Sequence, residues 1–354
     1  MIDVSDNSPA HNTDFAAHPP TKAHEIMKYL ICGFVVLVLI LGVAGIVYQA
    51  IATAKDLHKY PPPGKLVDVG GYQLHINCIG EGSPTVVMDY GLGGLSLVWS
   101  LVQPEVAKFT RVCTYDRAGY AWSTNSPKTR TSQQMVQELH TLLNHAGIEG
   151  PYVLVGHSLG GLNVRLFASQ YPEEVVGMVL VDAVPANVYS RLASEWKNQM
   201  AGTQRMFYTL STISRLGLLR LLVQIRGTEA APDFVKKLPS EVQSVILAKF
   251  LPKTFNTAIA ENQLMERSAQ QVSKQELPKD LPLVVLSHGI NMFSELSAEQ
   301  SERAEQRWQE LQVEMANLSS RGTLKIAQKS SHDIHIDQPQ LVIDAIRQVI
   351  QAVR

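Results

Sequence analysis

One ten-residue segment constrains the fold of this chain more than any other: residues 152–161 read Tyr-Val-Leu-Val-Gly-His-Ser-Leu-Gly-Gly. The valine-rich run at its start is typical of a buried strand, and residues 162–168, which follow the segment, have helical spacing. A serine between a strand end and a helix start lies on a sharp turn, which the small residues Gly156 and Gly160 permit. We therefore predict that Ser158 is a nucleophile with its hydroxyl exposed on this turn.

The composition bounds the class of protein. The 354 residues are 45% hydrophobic and 18% charged, which is enough apolar material for a sizeable core. The formal net charge is −1, and the sequence has no basic stripe, helix-turn-helix pattern or zinc-finger spacing. We therefore expect no nucleic-acid partner, and nothing in the sequence identifies a protein partner.

An uncharged stretch from residue 29 to residue 54 indicates a membrane anchor. Its centre, Leu30 to Tyr48, is almost wholly apolar, and at about 1.5 Å per residue it crosses a hydrocarbon core of roughly 30 Å. We predict a single transmembrane helix over residues 29–52. A buried core helix and a cleaved signal peptide are the alternatives. Ala52-Thr53-Ala54 resembles a cleavage site, but the apolar stretch is longer than a signal core.

The flanks of this span are polar. Residues 1–28 are predicted to be a disordered tail, and residues 53–64, which end in Tyr-Pro-Pro-Pro-Gly, are predicted to be a linker. Lysines do not settle the orientation, because two precede the span and three follow it: Lys22, Lys28, Lys55, Lys59 and Lys65. The excess leans only weakly toward a cytoplasmic C-terminal domain.

Strand and helix patterns alternate over residues 65–354. Strands are predicted at 65–69, 72–79, 85–90, 111–115, 176–181, 282–286 and 323–327, with another starting at Tyr152. Helices are predicted at 95–109, 132–146, 298–318 and 339–353, with another starting at Leu159. The alternation predicts an α/β fold: a mostly parallel eight-stranded sheet with helices on both faces and an antiparallel edge. Residues 185–278 have only helical patterns and are predicted to form a cap between strands 6 and 7.

The order of these elements resembles the α/β-hydrolase fold over about residues 65–354. Three further segments carry the resemblance: Asp-Tyr-Gly-Leu-Gly-Gly at 89–94, Tyr-Asp-Arg-Ala-Gly-Tyr at 115–120 and Ser-His-Asp-Ile-His at 331–335. They are similar to the family's oxyanion turn, its Asp-Arg-x-Gly segment and its terminal histidine segment. The resemblance implies a fold and a type of reaction, but it does not identify a substrate.

A serine hydroxyl needs a neighbouring base, and histidine suits that role near neutral pH. In this family the base comes last in the chain, which favours His332, on the loop after the final strand, over His335. The third member of such a catalytic triad is an acid that orients the histidine. No carboxylate follows the seventh strand directly, whereas Asp182 ends the sixth strand, as the acid does in some related dehalogenases. We favour Asp182, with Glu295 as the alternative.

The resemblance also implies two backbone donors for a developing oxyanion. The N–H of Leu159 follows the nucleophile, and the N–H of Leu92 lies in the glycine-rich turn after the third strand. Asp116 and Arg117 are expected to form an ion pair that holds loops near the site.

No cofactor or metal is implied. Cys78 and Cys113 lie on predicted strands without metal-ligand spacing, and they are either buried thiols, which we favour, or one disulfide in an oxidising compartment.

These features predict a membrane-anchored serine hydrolase that cleaves an apolar ester or related acyl compound through an acyl-serine intermediate. A haloperoxidase-like or acyltransferase activity would use the same residues. The alternative from another class is a ligand-binding or signalling protein that keeps the fold with little turnover.

Overall fold

The computed structural model describes residues 22–354, and the predicted tail at residues 1–21 lies outside this range. Eight strands form one sheet in the order β1-β2-β4-β3-β5-β6-β7-β8. The antiparallel pairs are β1 with β2 and β2 with β4, and the other neighbours are parallel. The strands are β1 Lys65–Asp68, β2 Gln73–Ile79, β3 Thr85–Asp89, β4 Val112–Asp116, β5 Tyr152–His157, β6 Val175–Val181, β7 Leu283–His288 and β8 Gly322–Ala327.

Helices cover both faces of the sheet, and the cap is helical. Helices outside the cap are α1 Lys22–Lys59, α2 Gln103–Val106, α3 Ser132–Ala146, α4 Leu159–Gln170, α12 Ala298–Ala316, α13 Ile334–Asp337 and α14 Pro339–Val353. The cap helices are α5 Val188–Arg191, α6 Ala193–Arg215, α7 Leu218–Arg226, α8 Asp233–Lys236, α9 Ser240–Lys249, α10 Pro252–Gln263 and α11 Met265–Ser273. The cap is therefore inserted between β6 and β7, as predicted.

The central strands are buried on both sides, as a parallel sheet between two helical layers requires. Alternate residues of β5 serve different cores: Leu154 packs with α3, α4 and α12, whereas Val153 and Val155 pack with α14. Because the carboxyl ends of parallel strands lie at one edge, the loops after β5, β6 and β8 meet there.

The structure differs from the sequence predictions at three places. Residues 95–109 form a 3₁₀ turn, Ser96–Trp99, and the short helix α2 instead of one helix. Helix α1 extends from Lys22 to Lys59, so residues 22–28 of the expected tail and residues 53–59 of the expected linker are helical. Residues 49–59 contain no glycine or proline, which explains why the helix continues beyond the apolar run.

The third difference concerns the cysteines. Cys78 on β2 and Cys113 on β4 are directly paired across the antiparallel ladder. They form a disulfide, so the preference for free thiols was wrong. Sequence patterns do not reveal that β2 and β4 are neighbours, because β3 lies between them in the chain.

Candidate active site

Ser158 lies on the sharp turn between β5 and α4, with φ of +52° and ψ of −119°. A non-glycine residue at positive φ is strained and needs support from its surroundings. The Ser158 carbonyl oxygen supplies part of it, since it accepts hydrogen bonds from Gly161 N and Val184 N, both at 3.0 Å. The turn also needs glycine at residue 160, where a methyl group would come within 2.6 Å of the Asp89 carbonyl oxygen.

His332 lies on the loop between β8 and α13, and its Nδ1 is 2.6 Å from Oδ2 of Asp182. The His157 ring lies 4.6 Å from the His332 ring, and His157 Nε2 is 3.0 Å from the His332 carbonyl oxygen, which ties the histidine loop to the serine turn. Burial lowers the pKa of His332, but the hydrogen bond to Asp182 and the charge of that carboxylate outweigh this effect, so the pKa is raised.

The structure does not join all three predicted side chains. Among the described residues, Ser158 Oγ makes no hydrogen bond to the His332 imidazole, although the two residues occupy adjoining loops. Hydrogen bonds between catalytic groups are often long or poorly aligned before substrate binds.

Asp182 is fully buried at the end of β6, at a φ of +42°. Besides His332, its carboxylate accepts hydrogen bonds from the backbone N–H of His288 and from Trp308 Nε1, both at 3.2 Å. Burial raises the pKa of Asp182, but the hydrogen bonds from the two histidines reverse the shift and hold the pKa well below its usual range. Glu295, the alternative acid, is exposed and makes none of these contacts.

His288 is a residue of the candidate site that sequence analysis missed. It ends β7, where a carboxylate was expected, and its Nδ1 lies 2.8 Å from each oxygen of Asp182. Its Nε2 lies 3.0 Å from both oxygens of Glu305 on α12. Burial alone would lower the pKa of His288, but the two carboxylates raise it to about 10, so the ring is an imidazolium at neutral pH. The signal that could have revealed this residue is its position: a histidine ends the seventh strand, where the resemblance predicts the acid.

The glycine-rich loop after β3 carries Leu92, and Leu159 begins α4. Neither backbone N–H donates to a protein acceptor among the turn and loop hydrogen bonds of the described part of the chain, as the predicted donor role requires. Arg117 holds this loop from below, because its guanidinium donates to the carbonyl oxygens of Tyr90 at 2.6 Å and Gly91 at 3.0 Å.

The expected pair of Asp116 and Arg117 does not form. Arg117 instead binds Asp89 at 2.7 Å and Glu261 of α10 at 2.9 Å, whereas Asp116 binds His75 at 2.7 Å. The arginine therefore connects the glycine-rich loop after β3, called the oxyanion loop below for its predicted role, to the cap. Arg117 and Glu261 are 144 positions apart, so sequence analysis could not reveal this link.

Within the described residues, one group has ligand atoms close enough together for a metal ion: His157, Asp333 and His335, within 4.8 Å of one another. Its two imidazoles pack ring against ring, with centroids 4.5 Å apart, and His335 also packs on Trp99. His157 Nε2 already contacts the His332 carbonyl oxygen. These contacts give the group a packing role beneath the histidine loop.

Comparison with known proteins agrees with this architecture. The family described as alpha/beta hydrolase fold matches residues 84–245. An uncharacterized protein of Bacillus subtilis, YqjL, is 28% identical over 273 residues, which cover 76% of this chain and 85% of that protein. A solved esterase from Thermogutta terrifontis has a TM-score of 0.55 and 20% identity, covering 82% of this chain and 98% of the esterase. At that identity the match shows the fold.

A third relative is an uncharacterized vacuolar membrane protein of Saccharomyces cerevisiae, YNL115C. It is 34% identical over 131 residues, which cover 32% of this chain and 20% of that protein. The chain spans less than half of several other curated relatives. Taken with the sheet order and the serine turn, the matches show that this chain has the α/β-hydrolase fold. They support a hydrolase as its general class.

Proposed function

We propose that this protein is a membrane-anchored serine hydrolase that cleaves an ester or related acyl compound. The observation that carries the proposal is the 2.6 Å hydrogen bond between Asp182 and His332, on a loop tied to the turn that presents Ser158. Ser158 is largely buried, so the exposed hydroxyl that the sequence predicted is not seen. An acid–histidine pair beside a serine on a strained turn is nevertheless the arrangement that activates a hydroxyl for attack on a carbonyl.

The mechanism follows from these positions. Ser158 Oγ attacks the substrate carbonyl while His332 Nε2 accepts its proton, and Asp182 stabilises the imidazolium that forms. The N–H groups of Leu92 and Leu159 donate to the oxyanion, and each such donor is worth about 3 kcal/mol in the transition state. His332 then protonates the leaving group, and water attacks the acyl-serine with His332 as the base.

The anchoring part of the proposal rests on α1. Its most apolar window has a mean hydropathy of 3.1, and none of that window is buried in the protein. A relative named as a vacuolar membrane protein supports a membrane location. The Cys78–Cys113 disulfide favours an oxidising compartment for the hydrolase domain. The small excess of lysines after the span favours the opposite orientation, with this domain in the cytoplasm.

Hydrolysis of nitrophenyl esters of increasing acyl chain length tests the proposed reaction. We expect turnover by the full chain in detergent and its loss in Ser158→Ala. Ser169→Ala, near the far end of the helix α4 that follows Ser158, is the matched control and should keep full activity. Equal activity of both variants would refute Ser158 as the nucleophile. No turnover of any ester by folded protein would favour the ligand-binding alternative.

A further inference from the structure

Helix α7 exposes an apolar stripe that no described residue covers. Its sequence is Leu-Leu-Arg-Leu-Leu-Val-Gln-Ile-Arg, and the stripe follows i, i+3, i+4, i+7 spacing. The exposed fractions are 51% for Leu218, 46% for Leu221, 42% for Leu222 and 74% for Ile225. Four large side chains on one helical face form a continuous patch, which marks an interaction site more often than scattered residues do.

The opposite face of α7 is turned toward α1. Arg220, Val223 and Gln224 line a cavity whose other walls include Asp56 and Lys59 of α1. Arg220 also binds α1 directly, since Nη1 lies 2.6 Å from Asp56 Oδ2 and Nε donates to Gln49 Oε1 at 3.2 Å. The polar side of α7 therefore faces the part of α1 that follows its apolar run.

The turn that precedes α7 touches the end of that apolar run. A methyl group on Gly45 would lie 2.2 Å from the Leu216 carbonyl oxygen, and one on Gly217 would lie 2.9 Å from the Tyr48 ring. Such close approach means that the α6–α7 turn is packed directly on α1. Because Gly45 and Tyr48 form the last turn of the apolar run, this contact lies at the edge of the hydrocarbon core.

The bend between α6 and α7 completes the geometry. The two helices meet at 80°, so α7 turns sharply away from the direction of α6. Its polar face lies toward Asp56 and Lys59, which follow the span, so its apolar face points away from these two residues. Arg215 and Arg226, both exposed, flank the stripe, as cations flank interfacial helices.

We infer that the apolar face of α7 is inserted into the membrane surface, with lipid acyl chains as its partner. The inference rests on the membrane anchor in the proposed function and extends it from α1 to the cap. The protein then contacts one bilayer through both α1 and α7. The second contact fixes the orientation of the hydrolase domain on the membrane.

The orientation has a consequence for the substrate. Phe207 of α6 lies against the oxyanion loop, where a methyl group on Gly93 would come within 2.8 Å of its ring. Leu216, at the membrane end of the same helix, is nine residues away, or roughly 13 Å at the rise of an α-helix. A membrane-embedded α7 thus places the reaction site close to the lipid, which suits an acyl substrate that resides in the bilayer.

Depth-dependent quenching tests the inference on the full chain reconstituted in phosphatidylcholine vesicles. The background is Cys32→Ser, in which Cys78 and Cys113 are bridged and do not react. An environment-sensitive fluorophore is attached to Ile225→Cys, and quenching by spin-labelled lipid is measured. We expect a blue-shifted emission and strong quenching.

Two matched variants separate the possible outcomes. Leu39→Cys, in the apolar run of α1, should be quenched, and Val313→Cys, an exposed apolar position on α12, should not be. If position 225 behaves like position 313 while position 39 is quenched, the anchor stands and the docking of α7 is overturned. If position 39 is not quenched, the anchor itself is wrong and the inference falls with it.

Discussion

His288 Nδ1 lies 2.8 Å from both carboxylate oxygens of Asp182, so the proposed catalytic acid is bound by a second imidazole on the side away from His332. His332 binds the same carboxylate from the front. Because the far nitrogen of His288 faces Glu305, both ring nitrogens carry protons and the ring is a fixed cation. The Asp182 carboxylate is therefore kept ionised in a buried place, which is the state that orients a catalytic histidine.

Replacement of the acid should separate the two sequence candidates. We expect Asp182→Asn to lower kcat by about four orders of magnitude, because the amide no longer holds His332 in the required tautomer. Glu295→Gln should leave kcat unchanged, since Glu295 is exposed and remote from the imidazole. Ester hydrolysis by the two variants shows which carboxylate is the acid. A loss of activity in Glu295→Gln alone would assign the role to Glu295 instead of Asp182.

His288→Gln should lower kcat by roughly ten- to a hundredfold, the equivalent of one charge-assisted hydrogen bond. KM should change little, because His288 lies behind the acid and does not face the substrate. Glu305→Gln is the matched change on the other side of the ring and should have a smaller effect in the same direction. An unchanged kcat in folded His288→Gln protein would show that the second imidazole has only a structural role.

The pH dependence of kcat/KM should follow His332. Only the neutral imidazole accepts the serine proton, so activity is lost as pH falls through the pKa of His332. Since Asp182 raises that pKa, the acidic limb should lie above 6.5, the ordinary histidine value. In Asp182→Asn the limb should move to lower pH, and a limb at the same pH in both proteins would contradict the role given to the carboxylate.

The turn at Ser158 depends on close packing between α4 and the loop after β6. A methyl group at Gly161 would lie 2.2 Å from Ala183 Cβ, and neither backbone segment can yield easily. Gly161→Ala should therefore lower the free energy of unfolding by about 1–3 kcal/mol. Gly202→Ala, on α6 with open space around it, should instead raise that energy by about 0.5–1 kcal/mol. Urea unfolding of both variants measures the difference.

Sequence analysis predicted the sheet, the cap and the serine turn because each has a local pattern: valine-rich strands, helical spacing and glycines around a serine. It also placed His332 and Asp182 at strand ends, and parallel strands bring such ends together. The roles of His288 and Glu305 arise from contacts between distant elements, as do the Arg117–Glu261 link and the Cys78–Cys113 disulfide. No spacing along the chain encodes those contacts.

Peptide mapping after reaction with a fluorophosphonate ester tests the central claim most directly. The reagent forms a covalent adduct with an activated serine, and its rate reports how well a base removes the serine proton. We predict one adduct, on Ser158, in the full chain, and a loss of labelling in His332→Ala protein that remains folded. An adduct on another serine, or undiminished labelling of His332→Ala, would contradict the proposal that His332 activates Ser158.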